Sequence, residues 1–231
     1  MSAVLEDKQT GFEAVGPAFT KEQMLAMRAK TRGIIHEIAD AVKPGMVEED
    51  AVAMAKDILA SHNMFKGWHD VYVRFGANTL KTFGADSDPG VVLKENDVFF
   101  IDIGPVWEDW EGDGGDTFTV GEAPDMAKCG ADAKALFHTV RHEWENTGKS
   151  GKELYEFAVA EAEALGWELN MDLSGHRLSD FPHAAIYDGP LADMDFKPSP
   201  LLWVLEIHIR SKTEPYGAFY EDMLLDDSYF A

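Results

Sequence analysis

The sequence predicts an α+β domain made of two similar halves, each reading helix, helix, strands. Two apolar stretches of helical period open the chain, strand-like runs follow, and the same order recurs in the second half. No low-complexity tract and no linker long enough to part independent domains interrupts the 231 residues. Residues 1–19 read as an N-terminal extension and residues 20–231 as one domain.

The first helix is expected to start at Thr20, whose hydroxyl can cap it, with Gln23 in the matching capping-box position. Met24, Met27, Thr31, Ile34, Ile35, Ile38 and Val42 keep a helical period until Pro44-Gly45 stops it. Val52, Ala55, Ile58 and Leu59 share one face of a second helix over about 48–61. DVYVRF at 70–75 predicts a strand, and the turn formers of 76–90 a loop. VFFIDI and DTFTVG are further strands. The second half predicts a helix over about 125–146, broken by Gly148 and Gly151, and another over about 152–165. ELNMDL, LLWVLEIHI and AFYEDMLL are its strand-like runs.

Composition narrows the function classes. Lys and Arg total 20 against 42 Asp and Glu, a formal charge of −22, which argues against nucleic acid or an anionic membrane as partner. Cys129 is the only cysteine, so no intrachain disulfide is expected. The first residues lack the basic and apolar regions of a signal peptide, and no run approaches the roughly 18 apolar residues of a membrane span. A soluble, cytoplasmic protein is expected.

Part of the acidity lies where a solubilising surface does not explain it. FFIDIGPVWEDWEGDGGDTFTV at 99–120 sets Asp102, Glu108, Asp109, Glu111, Asp113 and Asp116 in or beside apolar strand-like runs. Buried carboxylates repel one another and lose hydration, so such a cluster needs something to neutralise it. Asp113 lies eleven residues after Asp102, about the distance for a hairpin to return beside its start. Glu206 interrupts LLWVLEIHI, Glu221 and Asp222 interrupt AFYEDMLL, and SGHRLSDFPH offers His176 and His183. Arg177, Lys197 and Arg210 are the cations near these acids in the chain. Carboxylates with an imidazole are a standard way to hold two divalent metals, and imidazole favours Mn, Fe, Co or Zn over Ca. Asp109, Glu111 and Asp116 read as solvated loop acids, and Asp222 alternates to the face opposite Glu221.

In this order the motifs resemble the pita-bread metallopeptidase family, which includes methionine aminopeptidase, proline-specific aminopeptidase, prolidase and creatinase. IDIG supplies Asp102, EGDGGDTF Asp113, SGH His176, LEI Glu206 and YED Glu221, and His183 stands seven residues beyond His176 as the family's second His does. The resemblance runs from about residue 20 to the end and implies the pita-bread fold, two pseudo-symmetric halves forming a curved antiparallel sheet covered by helices. It also implies that Asp102 holds one of two divalent ions (Mn, Co, Fe or Zn), that His176 and Glu206 hold the other, and that Asp113 and Glu221 bridge them. A metal-bridging hydroxide would attack a carbonyl carbon, with Glu206 shuttling the proton and His183 steadying the tetrahedral oxygen or orienting the scissile group.

The departures bear on the substrate. Phe83 stands where the family usually has a substrate-contacting His, Gly115-Asp116-Thr117 replaces Thr-Arg-Thr, and Gly175-His176-Arg177-Leu178-Ser179 replaces Gly-His-Gly-x-Gly. Ala184 takes the place of the Glu that often follows the second His. Phe83 cannot transfer a proton. His69 and His208 are the candidates to replace the lost His, and His208 is the better one because it shares a strand face with Glu206. The leading expectation is an aminopeptidase or Xaa-Pro dipeptidase-like metallohydrolase. A family member hydrolysing or eliminating at a C–N bond of a small non-peptide substrate, as creatinase does, and a non-catalytic binding module of the same fold stay open. A small molecule or peptide is the expected partner, and a homodimer is an arrangement that the resemblance allows.

Overall fold

Both helix pairs form where the apolar period places them. The computed structural model describes residues 11–64 and 66–229. Helix α1 (Lys21–Ala41) starts where the Thr20 hydroxyl accepts from the Gln23 amide at 3.2 Å, and it buries Met24, Thr31, Ile34, Ile35 and Ile38. Helix α2 (Glu48–Ser61) buries Ala51, Ala55 and Leu59. Strands β1 (Lys66–Gly67), β2 (Tyr72–Phe75), β3 (Asp97–Ile103), β4 (Pro105–Trp107), β5 (Trp110–Glu111) and β6 (Gly114–Val120) complete the first half. The second half holds α3 (Pro124–Asn146), α4 (Gly151–Ala164), β7 (Glu168–Leu169), β8 (His176–Arg177), β9 (Trp203–Arg210) and β10 (Gly217–Met223).

The main sheet is antiparallel, in the order β2-β3-β6-β10-β9-β7, with β8 also paired to β9. Each half thus supplies an outer, a middle and an inner strand, and the two inner strands meet where Glu221 lies opposite Gly115. Alternation sorts the faces. Phe99, Ile101 and Ile103 join Ile34, Ile35, Ile38 and Leu59 in one apolar cluster under α1 and α2. Leu205, Ile207 and Ile209 pack with Phe137, Val140 and Leu154 of α3 and α4. Phe100 turns the other way, toward Phe219 and Leu173. The helices cover one face, and Asp102, Glu206 and Glu221 stand on the other.

Two differences from the sequence reading have local causes. The strand expected over ELNMDL stops at Leu169, because Asn170 Oδ1 accepts from the Asp172 amide at 3.2 Å and turns the chain away. A small sheet of β1, β4 and β5 is present besides the main one, its strands too short to carry a readable period. Of the N-terminal extension, residues 11–19 are tied to the second half: Glu13 accepts from the Ser199 amide (2.8 Å) and Trp203 Nε1 (2.7 Å), and the Gly16 amide donates to Asp180 (2.8 Å). Cys129 is buried on α3. Among the described residues no helix is long and apolar enough to cross a membrane.

Candidate metal centre

Sheet register lines the predicted acids up in one row. Asp102 on β3 pairs with Gly115 on β6, Gly115 with Glu221 on β10, and Glu221 with Glu206 on β9. Residues paired across antiparallel strands share a face, so the three acids stand side by side away from the helices. Gly115 keeps the row open: a Cβ there would meet the Phe219 ring at 2.5 Å and Glu221 Oε1 at 3.1 Å. Asp113 enters just ahead of β6, and all four acids are buried.

His176 arrives on β8, which pairs with β9 so that His176 lies opposite Val204. Its Nδ1–H donates to the Arg177 carbonyl at 2.7 Å, which turns Nε2 to the acids, 3.0 Å from Asp113 Oδ2. The residue before it adopts φ +75°, a left-handed conformation that favours glycine. The amide of that Gly175 donates to Glu206 Oε2 at 2.7 Å. The Gly-His pair therefore positions two of the predicted ligands together.

The charges strain against one another. Burial, with Asp113 adding to it, pushes the Asp102 carboxyl up to about 6. Burial likewise takes Glu206 up to about 7. Burial and then the neighbouring Asp113, Asp102 and Glu206 raise Glu221 well above the carboxylate range. Burial would raise Asp113 too, but the His176 and His69 imidazoles outweigh it and hold this carboxyl low. Burial lowers His176, yet Asp113 carries it up to about 10.

Asp113 Oδ2 and Glu221 Oε1 are buried without a hydrogen-bond partner, a costly state for carboxylate oxygens unless a cation meets them. His69, Asp102 and Asp113 offer one group of ligand atoms within 4.8 Å of one another, and Asp113, His176 and Glu221 offer a second. The donor set of carboxylate oxygen and imidazole nitrogen suits divalent transition metals, so these residues fit such ions. A further group, His142, Glu145 and Asp227, lies at the surface, where Arg141 pairs with both acids.

His183 also borders this centre, and Glu111 orients it by accepting from its backbone amide at 2.9 Å and its Nδ1–H at 2.7 Å. The Nδ1 contact leaves Nε2 for a ligand. Glu111 is thus not the solvated acid that the sequence suggested: its side chain is buried, and the chain turns inward there because the Ser179 and His183 amides need its oxygens. The signal was available, since Glu111 precedes Asp113 by two residues, the spacing of one side of an extended run. Asp116 is likewise buried rather than solvated, paired with Arg32 (2.7 Å) and Lys134 (3.3 Å) on the helix side. Asp109 is exposed as expected. Asp222 faces the helices, where Arg28 holds both its oxygens at 2.7 and 2.6 Å. Chain proximity nominated other cations, but Arg177 donates to the Leu202 and Ala14 carbonyls and Lys197 to those of Glu145 and Thr147.

A cavity of about 350 Å³ opens over the row of acids and is bordered by Trp68, His69, Phe83 and His183. A wider groove of about 930 Å³ continues from it past the same four residues. Phe83 is 46% exposed at the mouth, on a loop that Arg74 pins through the Thr82 and Ala85 carbonyls at 2.9 and 2.6 Å. His208 does not reach the cavity. It shares the strand face of Glu206, but one pair further along β9 its Nε2 meets the Thr79 carbonyl (2.7 Å) and its Nδ1 meets Asn170 (3.0 Å). Burial pushes its imidazole down to about 3, so it stays neutral in the interior. Of the two candidates, His69 is the one at the acids. Trp68 beside it contacts His69, His176 and His183 with ring centroids 4.3, 4.8 and 5.0 Å apart, a wall that the sequence reading missed.

Comparison with known proteins agrees with this arrangement. The family model described as metallopeptidase family M24 matches residues 22–225. No curated protein matches the chain. Among solved structures, an X-Pro aminopeptidase from Thermotoga maritima superposes with a TM-score of 0.69 at 19% identity, over 87% of this chain and 56% of its own. An Xaa-Pro dipeptidase from Bacillus anthracis gives 0.73 at 16% identity, over 94% of this chain and 60% of its own. A methionine aminopeptidase from Thermotoga maritima gives 0.66 at 16% identity, over 88% of this chain and 92% of its own. The chain thus spans little more than half the length of the proline-specific relatives. These likenesses show the pita-bread fold.

Proposed function

The chain belongs to metallopeptidase family M24, and from that premise we propose that it is a dinuclear metal-dependent hydrolase of aminopeptidase or Xaa-Pro dipeptidase type. The observation that carries this reading is the pair of ligand groups that share Asp113, with Glu221 Oε1 buried without a hydrogen-bond partner among four clustered acids. We assign Asp102 to one ion, His176 and Glu206 to the other, and Asp113 and Glu221 to both, the ions being Mn, Co, Fe or Zn. When bound, such ions lower the pKa of a water and draw charge from a carbonyl oxygen.

The chain's own groups do the rest. Glu206, held by the Gly175 amide through one oxygen, takes the proton with the other. His183, fixed by Glu111 through Nδ1, turns Nε2 to the reacting bond and orients the scissile group. Trp68, Phe83 and Leu173 supply apolar wall that limits water around the reacting bond. A small molecule or peptide is the substrate, and we place the reaction in the cytoplasm.

The test is metal analysis of the purified protein together with a panel of aminoacyl peptides and Xaa-Pro dipeptides under added Mn or Co. Two ions per chain and turnover of at least one peptide class are expected. Two bound ions with no peptide turned over would remove the peptidase assignment. One observation favours a second reading, action on a small non-peptide substrate at a C–N bond. Among the described residues that line the cavity none is Lys or Arg, the side chains best suited to the free carboxylate of a dipeptide, and of those lining the wider groove only Lys56 is. Small amides and guanidino compounds in the same panel separate the two.

A further inference from the structure

We propose that His69 is a sixth protein ligand of this centre, binding through Nε2 the ion held by Asp102 and Asp113. The inference rests on the metal-centre reading above and goes beyond its ligand set. Nε2 lies 3.4 Å from Asp102 Oδ1 and 3.4 Å from Asp113 Oδ1. Ligand atoms about 2.1 Å from a tetrahedral ion stand roughly 3.4 Å from one another. The nitrogen therefore already stands at vertex spacing from each of the two oxygens, and His69, Asp102 and Asp113 offer ligand atoms within 4.8 Å of one another. The contact with Asp113 Oδ1 is at most a long hydrogen bond, beyond the usual range of about 2.7–3.2 Å, so Nε2 closes on neither oxygen. It stays equally far from both.

The rest of the ring is arranged as in His176. Its Nδ1–H donates to the carbonyl of the next residue, Asp70, at 2.6 Å, as His176 donates to Arg177 at 2.7 Å. Both imidazoles thus spend Nδ1 on the backbone and turn Nε2 to the acids, the second-nitrogen contact that orients a ligating histidine. The ring also sits in a built slot. A Cβ on Gly104 would come within 2.2 Å of His69 Cδ2 and 2.3 Å of Nε2, so the glycine that follows Asp102 by two residues leaves the space the imidazole fills. Trp68 and Phe83 close the slot with edge-on rings at 4.3 and 5.7 Å. The side chain is 4% exposed.

Cobalt binding tests this without recourse to activity. The chelator-stripped full chain is titrated with Co(II), with calorimetry giving stoichiometry and affinity and visible absorption giving the coordination of each ion. Wild type is expected to take two ions. His69→Ala should bind one of them at least about tenfold more weakly, the effect of losing even a supporting contact of a metal site. Its Co(II) absorption band should shift, and added imidazole should restore it in part. His69→Gln, which keeps the volume and a polar tip, serves if the alanine variant does not fold. Wild type binding two ions while a folded His69 variant matches it in affinity and spectrum would overturn the proposal and leave His69 as a packing residue. Wild type binding no ion would instead remove the underlying metal-centre reading, so the two failures are told apart.

Discussion

Glu221 sits where the fold alone would not want it. It is buried between Asp113, Asp102 and Glu206, and one of its oxygens has no partner. Glu221→Gln should therefore raise the melting temperature of chelator-treated protein at neutral pH, because the amide is neutral without the proton uptake that burial and the neighbouring acids force on the carboxyl, and should abolish most of the stabilisation that added Mn confers on wild type. Differential scanning calorimetry with and without metal reads both effects, and an unchanged metal response in the variant would count against the bridging role. His183 has the reverse profile. His183→Ala should leave metal binding intact while lowering kcat about 10²–10⁴-fold on whichever substrate the panel identifies. Glu111→Gln should lower kcat less, since it disturbs only the ring's orientation. At this scale Asp102 and Glu206 stand out in the sequence as acids inside apolar runs, whereas Asp113 and His176 are picked out by the order of motifs that the chain shares with the family. Glu111 is harder: its WEDWEGD run reads as a loop, its two-residue spacing from Asp113 is the one local sign, and the Ser179 and His183 amides that converge on it explain its burial.

Elements hold these residues through a few local devices. Gly175 is one, with its left-handed backbone and its amide on Glu206. An alanine there would place its Cβ 2.7 Å from the Val204 carbonyl and 2.8 Å from Leu191 Cβ. The conformation alone costs about 1–2 kcal/mol. Gly175→Ala should thus lose more than that in urea denaturation and also weaken metal binding, whereas Ser150→Ala should cost about 1 kcal/mol and leave metal binding unchanged. Ser150 caps α4 in a reciprocal box with Glu153, remote from the acids. The loop 76–90 has its own anchor. Asn78 donates to Glu48 at 3.0 Å and accepts from the Asp88 amide at 2.9 Å, which ties the FGAN motif to the start of α2. Helix limits were legible because caps and stops are written in adjacent residues. The shortened strand at Leu169 was not, because Asn170 was counted for its place in an apolar run rather than for the turn it makes.

The whole molecule should respond to pH in opposite senses with and without metal. Asp102 and Glu206, raised to about 6 and about 7, keep protons in the fold that the unfolded chain releases near its ordinary values of 3.8 and 4.5. Native protein then binds more protons than unfolded protein between those limits, so stability falls as pH rises through them. His176, raised from 6.5 to about 10, contributes stability that is full below the lower value and lost on the way to the upper one. Asp113, held low, acts the other way, but its contribution is lost only below its ordinary 3.8. His208, pushed down to about 3, also acts the other way up to its ordinary 6.5, against the raised Asp102, Glu206 and His176. Chelated protein should therefore melt higher at about pH 5 than at about pH 8, and metal-loaded protein the reverse, since ligands must shed protons to bind. Thermal melts across that range check both arms. A chelated protein that gains stability from pH 5 to 8 would show that the acids are not buried together as described.

The sequence by itself determined the helix pairs, the main strands and the identity of five candidate ligands. Periodicity, caps and the mismatch of an acid in an apolar run are all local properties. What only the tertiary structure decided was adjacency: strand register sets Asp102, Glu221 and Glu206 in one row, and the meeting of distant loops brings His69 rather than His208 to the acids. Alternation along one strand tells which face a side chain takes, but not how far along that face the cavity lies. That distance depends on pairing between segments more than a hundred residues apart, and no local pattern records it.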